Sequence, residues 1–249
     1  PNTGLESLIT TFTSKASCTQ RAGRAGRIFP GKCLRLMTED HFLQLLPEKT
    51  IPEIKRADLS SSILLLKALG IKDLVHFDFL SPPTSKAMIR ALELLYSLKA
   101  IDENVELTEP IGRQMAEMPL EPRLAKAVIS SPEFGCQEQM MTIAAMLSVQ
   151  NPFEKPRNSN LEKLSQAKAE FAVQEGDHIT LLNVYNSFVE ANDPPSFCRE
   201  YFLNFRSLKR ATEVRAQISR YSKFHNRNTI NSVSTSISVT SSEDPVSIR

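Results

Sequence analysis

Gln20-Arg21-Ala22-Gly23-Arg24-Ala25-Gly26-Arg27 is the stretch from which the rest of the chain is read. Its arginines recur at a spacing of three, so on a helix they would share one face. Two glycines sit between them, and each weakens a helix by ~1 kcal/mol relative to alanine. Stability gives no reason for that cost. Glycine permits close backbone approach, and arginine carries planar donors that no deprotonation removes. A row of guanidinium groups on a tight backbone suits a polyphosphate. A basic surface turn is the competing reading. Composition alone favours it; this spacing beside Gln20 does not.

The charge around the octet is uneven. The 249 residues carry 30 Lys+Arg and 28 Asp+Glu, a net of +2, so total charge does not mark a nucleic-acid binder. Yet residues 1–36 hold six basic side chains (Lys15, Arg21, Arg24, Arg27, Lys32, Arg35) against Glu6. Residues 205–227 hold seven (Arg206, Lys209, Arg210, Arg215, Arg220, Lys223, Arg227) against Glu213. The stretch between them, 37–204, has 16 basic and 24 acidic residues. A fold that brings the basic segments to one side would face phosphate; two ordinary solvated helix faces fit the charge equally well.

Composition bounds the class. At 41% hydrophobic and 23% charged residues the chain can bury a core, and its length suggests one or two domains at ~150 residues each. No apolar run approaches the ~18–20 residues of a membrane span, so no membrane partner is expected. Cys18, Cys33, Cys136 and Cys198 lie far apart with no CxxC, which fits a reducing compartment rather than a disulfide framework. His41, His76, His178 and His225 show no metal-ligand spacing, so no metal site is expected. Pro1-Asn2-Thr3-Gly4 reads as a turn in mid-protein, without a signal peptide.

Along the chain, Leu5, Ser7 and Ile9 alternate like a strand, and Lys32–Met37 reads as another after the Pro30-Gly31 turn. Thr38 is positioned to cap a helix starting near Asp40. Leu59, Ile63 and Leu66, with Gly70 behind them, predict a helix with a glycine C-cap. A second helix from Thr84 presents Met88, Ala91, Leu92, Leu95 and Tyr96. A turn at Asp102-Glu103-Asn104, a short strand at Val105–Leu107 and a helix after Thr108 complete a winged-helix order. From 119 to 221 only helices are expected: Pro122–Ser130, a buried central Gln137–Val149, Leu161–Val173, Ile179–Val189 capped by Asp177, Phe197–Phe205 and Leu208–Tyr221. The tail Ser222–Arg249 has eight Ser in 28 residues, which argues for a loop or disordered terminus over a strand.

The octet resembles motif VI of superfamily 2 helicases, in the form used by the DEAH-box/RHA RNA helicases. Further segments are similar to the same family: Ser14-Lys15-Ala16-Ser17, Gly31-Lys32-Cys33-Leu34-Arg35-Leu36, Thr38-Glu39, Ile51-Pro52-Glu53-Ile54, Leu66-Lys67-Ala68-Leu69-Gly70, Leu107-Thr108-Glu109-Pro110-Ile111-Gly112, Phe171-Ala172 and Glu175-Gly176-Asp177-His178. The resemblance runs from about Pro1 to Tyr221 and is strongest to spliceosome-associated members.

It implies a mainly α chain: part of a second RecA-like α/β domain at 1–50, a winged helix at 51–118, a ratchet-like helical bundle at 119–221, and a tail at 222–249 leading toward an OB-fold. It implies that Gln20 helps position the attacking water and that Arg24 and Arg27 reach the γ-phosphate of ATP as arginine fingers. Arg21 and Gly23 would belong to the same nucleotide-contacting set. Thr3 and Gly4 would lie in a hairpin that meets RNA. It further implies a nuclear ATP-dependent RNA helicase, using ATP and Mg²⁺, that moves 3′→5′ on single-stranded RNA without sequence specificity. Such an enzyme would act in pre-mRNA splicing beside the spliceosome and glycine-patch cofactor proteins.

A helicase of this kind also needs a GxxxxGK[ST] loop and an acidic Mg²⁺ box. The one Gly-Lys here, Gly31-Lys32, continues into Cys33. The expectation is therefore a C-terminal portion that does not hydrolyse ATP alone. The alternative is a non-enzymatic winged-helix module that binds nucleic acid or protein.

Overall fold

Ser14 starts the first helix among the described residues: its Oγ accepts the amide of Ser17 at 3.1 Å, an N-cap for α1 (Lys15–Ala22). The structure, a computed structural model, describes residues 10–154 and 161–239, with the backbone alone at 161 and from 224 to 239. These residues divide into two compact units, one running to Asp58 and including Asp78–Ala87, the other comprising Leu59–Phe77 and Met88 onward.

In the first unit, Thr38 caps as its position predicts, accepting the His41 amide on its hydroxyl at 3.3 Å and the Phe42 amide on its carbonyl at 3.1 Å. The element it opens is a five-residue π-helical turn, His41–Leu45. The strand expected at Lys32–Met37 does not form, and Leu34 and Leu36 stand exposed. A strand persists only where its amides and carbonyls find a neighbour, and no described segment supplies one. The other strand expected, at Leu5–Ile9, lies outside the described residues.

The second unit begins with α2 (Ser60–Ala68), which buries Ile63 and Leu64. Gly70 takes φ +87°, and the amides of Gly70 and Ile71 reach back to the carbonyls of Lys67 and Leu66, both at 3.0 Å. That pair of bonds is a Schellman stop, which the αL conformation of glycine permits. α3 (Ser85–Ser97) buries Ala91 and Leu95 as the periodicity predicts, whereas Tyr96 is exposed. The chain then doubles back. Ile101 and Leu107 pair through a lone antiparallel bridge, and Asp102 Oδ1 holds the tip by accepting the amides of Asn104 and Glu106. The strand expected at Val105–Leu107 is thus a single bridge, because Val105 is spent at the tip with φ +59°. Thr108 Oγ1 donates to the Lys99 carbonyl at 2.6 Å and accepts the Gly112 amide at 3.0 Å, tying this wing to α4 (Ile111–Glu117). A Cβ on Gly112 would overlap the Ala100 carbonyl oxygen, so only glycine fits.

Six helices follow: α5 (Pro122–Ser130), α6 (Gln137–Leu147), α7 (Leu161–Phe171), α8 (Asp177–Glu190), α9 (Pro194–Glu200) and α10 (Phe205–Val239). Every residue from Met141 to Met146 is buried, so α6 is the central helix its composition predicts. α5, α8 and α10 cover it. Met146, Phe171, Val184, Tyr185, Phe188 and Leu208 form the core beside it.

Three boundaries differ from expectation. Asp177 is the first helical residue of α8, and Gly176, with φ +114°, holds the cap position without a side-chain bond. The helix expected over Phe197–Phe205 stops at Glu200. Leu203 there bridges to Phe153, and Asn204 Oδ1 accepts the Ser207 amide at 3.0 Å to start α10. The Ser-rich stretch 222–239 continues α10 instead of forming a loop, since extending a nucleated helix is far easier than starting one. Residues 240–249 lie outside the described set.

α10 is fastened to α6 by polar contacts. Arg215 donates through Nε to Thr142 Oγ1 at 2.7 Å and through a terminal nitrogen to Glu138 Oε2 at 2.6 Å. Arg215→Ala should cost this chain about 1 kcal/mol, roughly 2–4 °C in thermal unfolding, since the pair is partly exposed. Arg206→Ala and Lys209→Ala, on the exposed side of α10, should leave the midpoint unchanged.

Candidate functional site

The N-terminus of α1 is fully occupied by protein. The Lys15 amide donates to the Pro47 carbonyl at 2.9 Å and the Ala16 amide to the Glu48 carbonyl at 3.1 Å. Ser17 bonds the cap, and the Cys18 amide closes onto the Ser14 carbonyl at 2.9 Å. Side chains repeat the clasp: Ser14 Oγ and Thr50 Oγ1 are 2.9 Å apart, and Lys15 Nζ donates to Glu48 Oε1 at 2.6 Å. Helix N-termini often bind anions through free amides, and here none of the first four is free. Any phosphate contact from this element must come from its other end.

That end carries the octet. Gln20, Arg21 and Ala22 form the last turn of α1, and Gly23 caps it in the αR conformation. Arg24 and Arg27 therefore lie beyond the helix, not on a helical face as their spacing alone suggests. Two tighter bonds follow, Arg24 N to Arg21 O and Ala25 N to Ala22 O, both 3.1 Å. Three residues per turn brings i and i+3 into line, so Arg21 and Arg24 project from the same side. Arg27 follows in a bend. Gln20, Arg21, Arg24 and Arg27 are all exposed, and their side chains have no hydrogen-bond or ion-pair partner among the described residues. Guanidinium groups at a helix C-terminus also meet the negative end of the helix dipole, which favours them there.

The glycines separate into two kinds. A Cβ at Gly26 would meet nothing within 4 Å, and one at Gly23 only ordinary contacts at 3.6 and 3.7 Å. No described neighbour demands either glycine. Gly31 is different, because a Cβ there would overlap the Ala25 carbonyl. Thr3 and Gly4 lie outside the described residues.

A second basic surface lies on α10. Arg206, Lys209, Arg210, Arg220 and Lys223 are exposed and fall within roughly 140° of the helix circumference. Arg215, part of the same run in sequence, faces Glu138 and Thr142 instead. No three metal-ligating side chains come together among the described residues, so no Mg²⁺ holder is assigned here. No described helix is long and apolar enough to cross a membrane. All four cysteines are free. Burial, with Glu154 nearby, pushes the Cys198 thiol up to about 11, so it stays protonated at neutral pH.

A short bridged wing between α3 and α4 is followed by a helical bundle around one buried helix. Two family models match in that order: the winged-helix part of the helicase-associated domain HA2 over residues 91–120, and its ratchet-like part over 121–181. The "Probable ATP-dependent RNA helicase DHX35" of Homo sapiens is 46% identical over 220 residues, 88% of this chain and 31% of that protein. Its Pongo abelii counterpart is 46% identical over 88% of this chain and 30% of its own length, and the Caenorhabditis elegans homolog 49% over the same shares. Residues 91–181 match the helicase-associated domain HA2, and over 88% of its length the chain is similar to these RNA helicases. It spans about 30% of the length of the curated relatives it matches.

Sequence reasoning missed the clasp between 47–50 and α1. Its one sequence signal is Ser14 just ahead of the helix, an N-cap residue type; nothing in Pro47–Thr50 announces the partner. Gly26→Ala should leave thermal stability within about 0.5 kcal/mol, measured by calorimetry on this chain.

Proposed function

We propose that this segment is the C-terminal portion of an ATP-dependent RNA helicase and that its octet completes the ATP site of the longer protein. The carrying observation is a row of exposed, unpartnered donors, Gln20, Arg21, Arg24 and Arg27, at the end of a helix whose other end is clasped. Three permanent cations in one short turn repel one another, and an anion placed among them offsets that repulsion.

In this reading Arg24 and Arg27 stabilise the charge that builds on the γ-phosphoryl oxygens as the bond to the β-phosphate breaks. Gln20, with one donor and one acceptor group, orients the attacking water. Arg21 and the open backbone at Gly23 support contact with the phosphates. ATP, its Mg²⁺ and the phosphate-cradling loop belong to the remainder of the longer protein. The segment by itself is expected not to turn over ATP.

RNA is the proposed macromolecular partner, supported by the chain's similarity to RNA helicases and by the exposed basic side of α10. Contacts through arginine and lysine to phosphate carry no sequence preference. Movement 3′→5′, a role in pre-mRNA splicing with the spliceosome, and nuclear localisation rest on the family resemblance. A glycine-patch cofactor protein is proposed on the same ground, with exposed Leu65, Leu69 and Val75 as apolar surface in the winged-helix part.

The test is Arg24→Ala in the full-length protein. RNA-stimulated ATP hydrolysis should fall by roughly 10³-fold or more, with RNA affinity within twofold. Collapse of RNA binding with ATPase retained would sink the assignment and favour a nucleic-acid-binding module.

A further inference from the structure

The octet is useful only if its guanidinium groups arrive in register with a phosphate, and arginines on an open turn have no register of their own. Two contacts within the first unit hold that turn. Residues 47–50 grip α1 at its start: the Pro47 and Glu48 carbonyls take the Lys15 and Ala16 amides, and Thr50 Oγ1 meets Ser14 Oγ at 2.9 Å. Ser14 is 2% exposed, and Cys18 and Leu46 are buried at 8% and 7%, so the grip has an apolar floor. At the far side Gly31 lies against the Ala25 carbonyl, in the middle of the octet, so closely that a methyl group could not be admitted. α1 runs from this grip through Gln20 to Ala22, and the Arg24 amide bonds the Arg21 carbonyl, so a displacement at Ser14 is passed to the start of the arginine turn.

We propose that Ser14, Thr50 and Gly31 are positioning residues for Arg24 and Arg27, clasping the arginine turn from both ends so that it reaches the γ-phosphate preorganised. This rests on the reading of the octet as the finger element of an ATP site. Preorganisation of this kind acts on the transition state, since the ground state tolerates looser placement. A misplacement near 1 Å can cost about 10²-fold in rate. The clasp should therefore appear in kcat and not in binding.

The experiment uses the full-length protein carrying Thr50→Val, Thr50→Ser or Gly31→Ala, with Arg24→Ala in parallel. Valine keeps the shape of threonine and removes the hydroxyl; serine restores it. Thr50→Val should lower kcat for RNA-stimulated ATP hydrolysis about tenfold, with KM for ATP and RNA affinity within twofold, and Thr50→Ser should recover wild-type kcat to within twofold. Gly31→Ala should lower kcat at least as far. The proposal is overturned if Thr50→Val leaves kcat unchanged, or if Thr50→Ser fails to restore it, as a loss of folded enzyme unrelated to the hydroxyl would give. If Gly31→Ala fails to fold, the Thr50 pair decides. Full ATPase in Arg24→Ala identifies the octet reading itself as the failure, whatever the Thr50 variants do.

Discussion

A helix that is apolar on nearly every side must be covered on every side, and that constraint organises the larger part of this molecule. From Met141 to Met146 every residue of α6 is buried. Burying Met141, Ile143 and Met146 is worth about 1.5–3 kcal/mol each relative to exposure, so α6 cannot remain at a surface. α5, α8 and α10 close around it, and the one polar side chain in the run, Thr142, is satisfied by the Glu138 carbonyl and by Arg215. Arg215 thus serves the bundle. Its neighbours Arg206, Lys209, Arg210, Arg220 and Lys223 remain on the outer side of α10, which separates the structural from the available cations of one basic run.

The arginine turn obeys a different constraint, the polarity of a short helix. α1 has its amide end sealed by Pro47, Glu48 and Ser14, so the positive pole binds protein. The carbonyl end, where cations are favoured, carries Arg21 and then Arg24. Gly23 and Gly26, at and beyond the end of α1, are not required by any described neighbour, while Gly31 is. Open backbone next to three unpaired guanidinium groups is what a polyphosphate contact needs. This is the support for the proposal that the octet contacts phosphate.

Periodicity carried well wherever burial is one-sided or complete. Ile63, Ala91 and Leu95 lie in the core as their spacing indicates, α6 is buried as its composition indicates, and Gly70 ends α2 as a glycine C-cap should. The misses share one physical cause, namely that local sequence cannot report a partner distant in the chain. Lys32–Met37 has the alternation of a strand, but no described segment pairs with it. Asn204 starts a helix that the apolar spacing places after it, because the bridge between Leu203 and Phe153 fixes the turn first. Ser222 onward looks like loop by composition, yet it follows an established helix. Of the candidate site, the residues were readable from Gln20 to Arg27; the clasp that seats them, Thr50 on Ser14, was not.

Arg24 and Arg27 are proposed to act on the transferring phosphoryl group. Binding of ADP with aluminium fluoride, a mimic of that group in flight, measures this directly in the full-length protein with RNA present. Arg24→Ala and Arg27→Ala should bind ADP alone within twofold of wild type and lose at least about 10²-fold in affinity for the ADP–aluminium fluoride complex. Equal affinity of wild type and both variants for the complex would contradict the account.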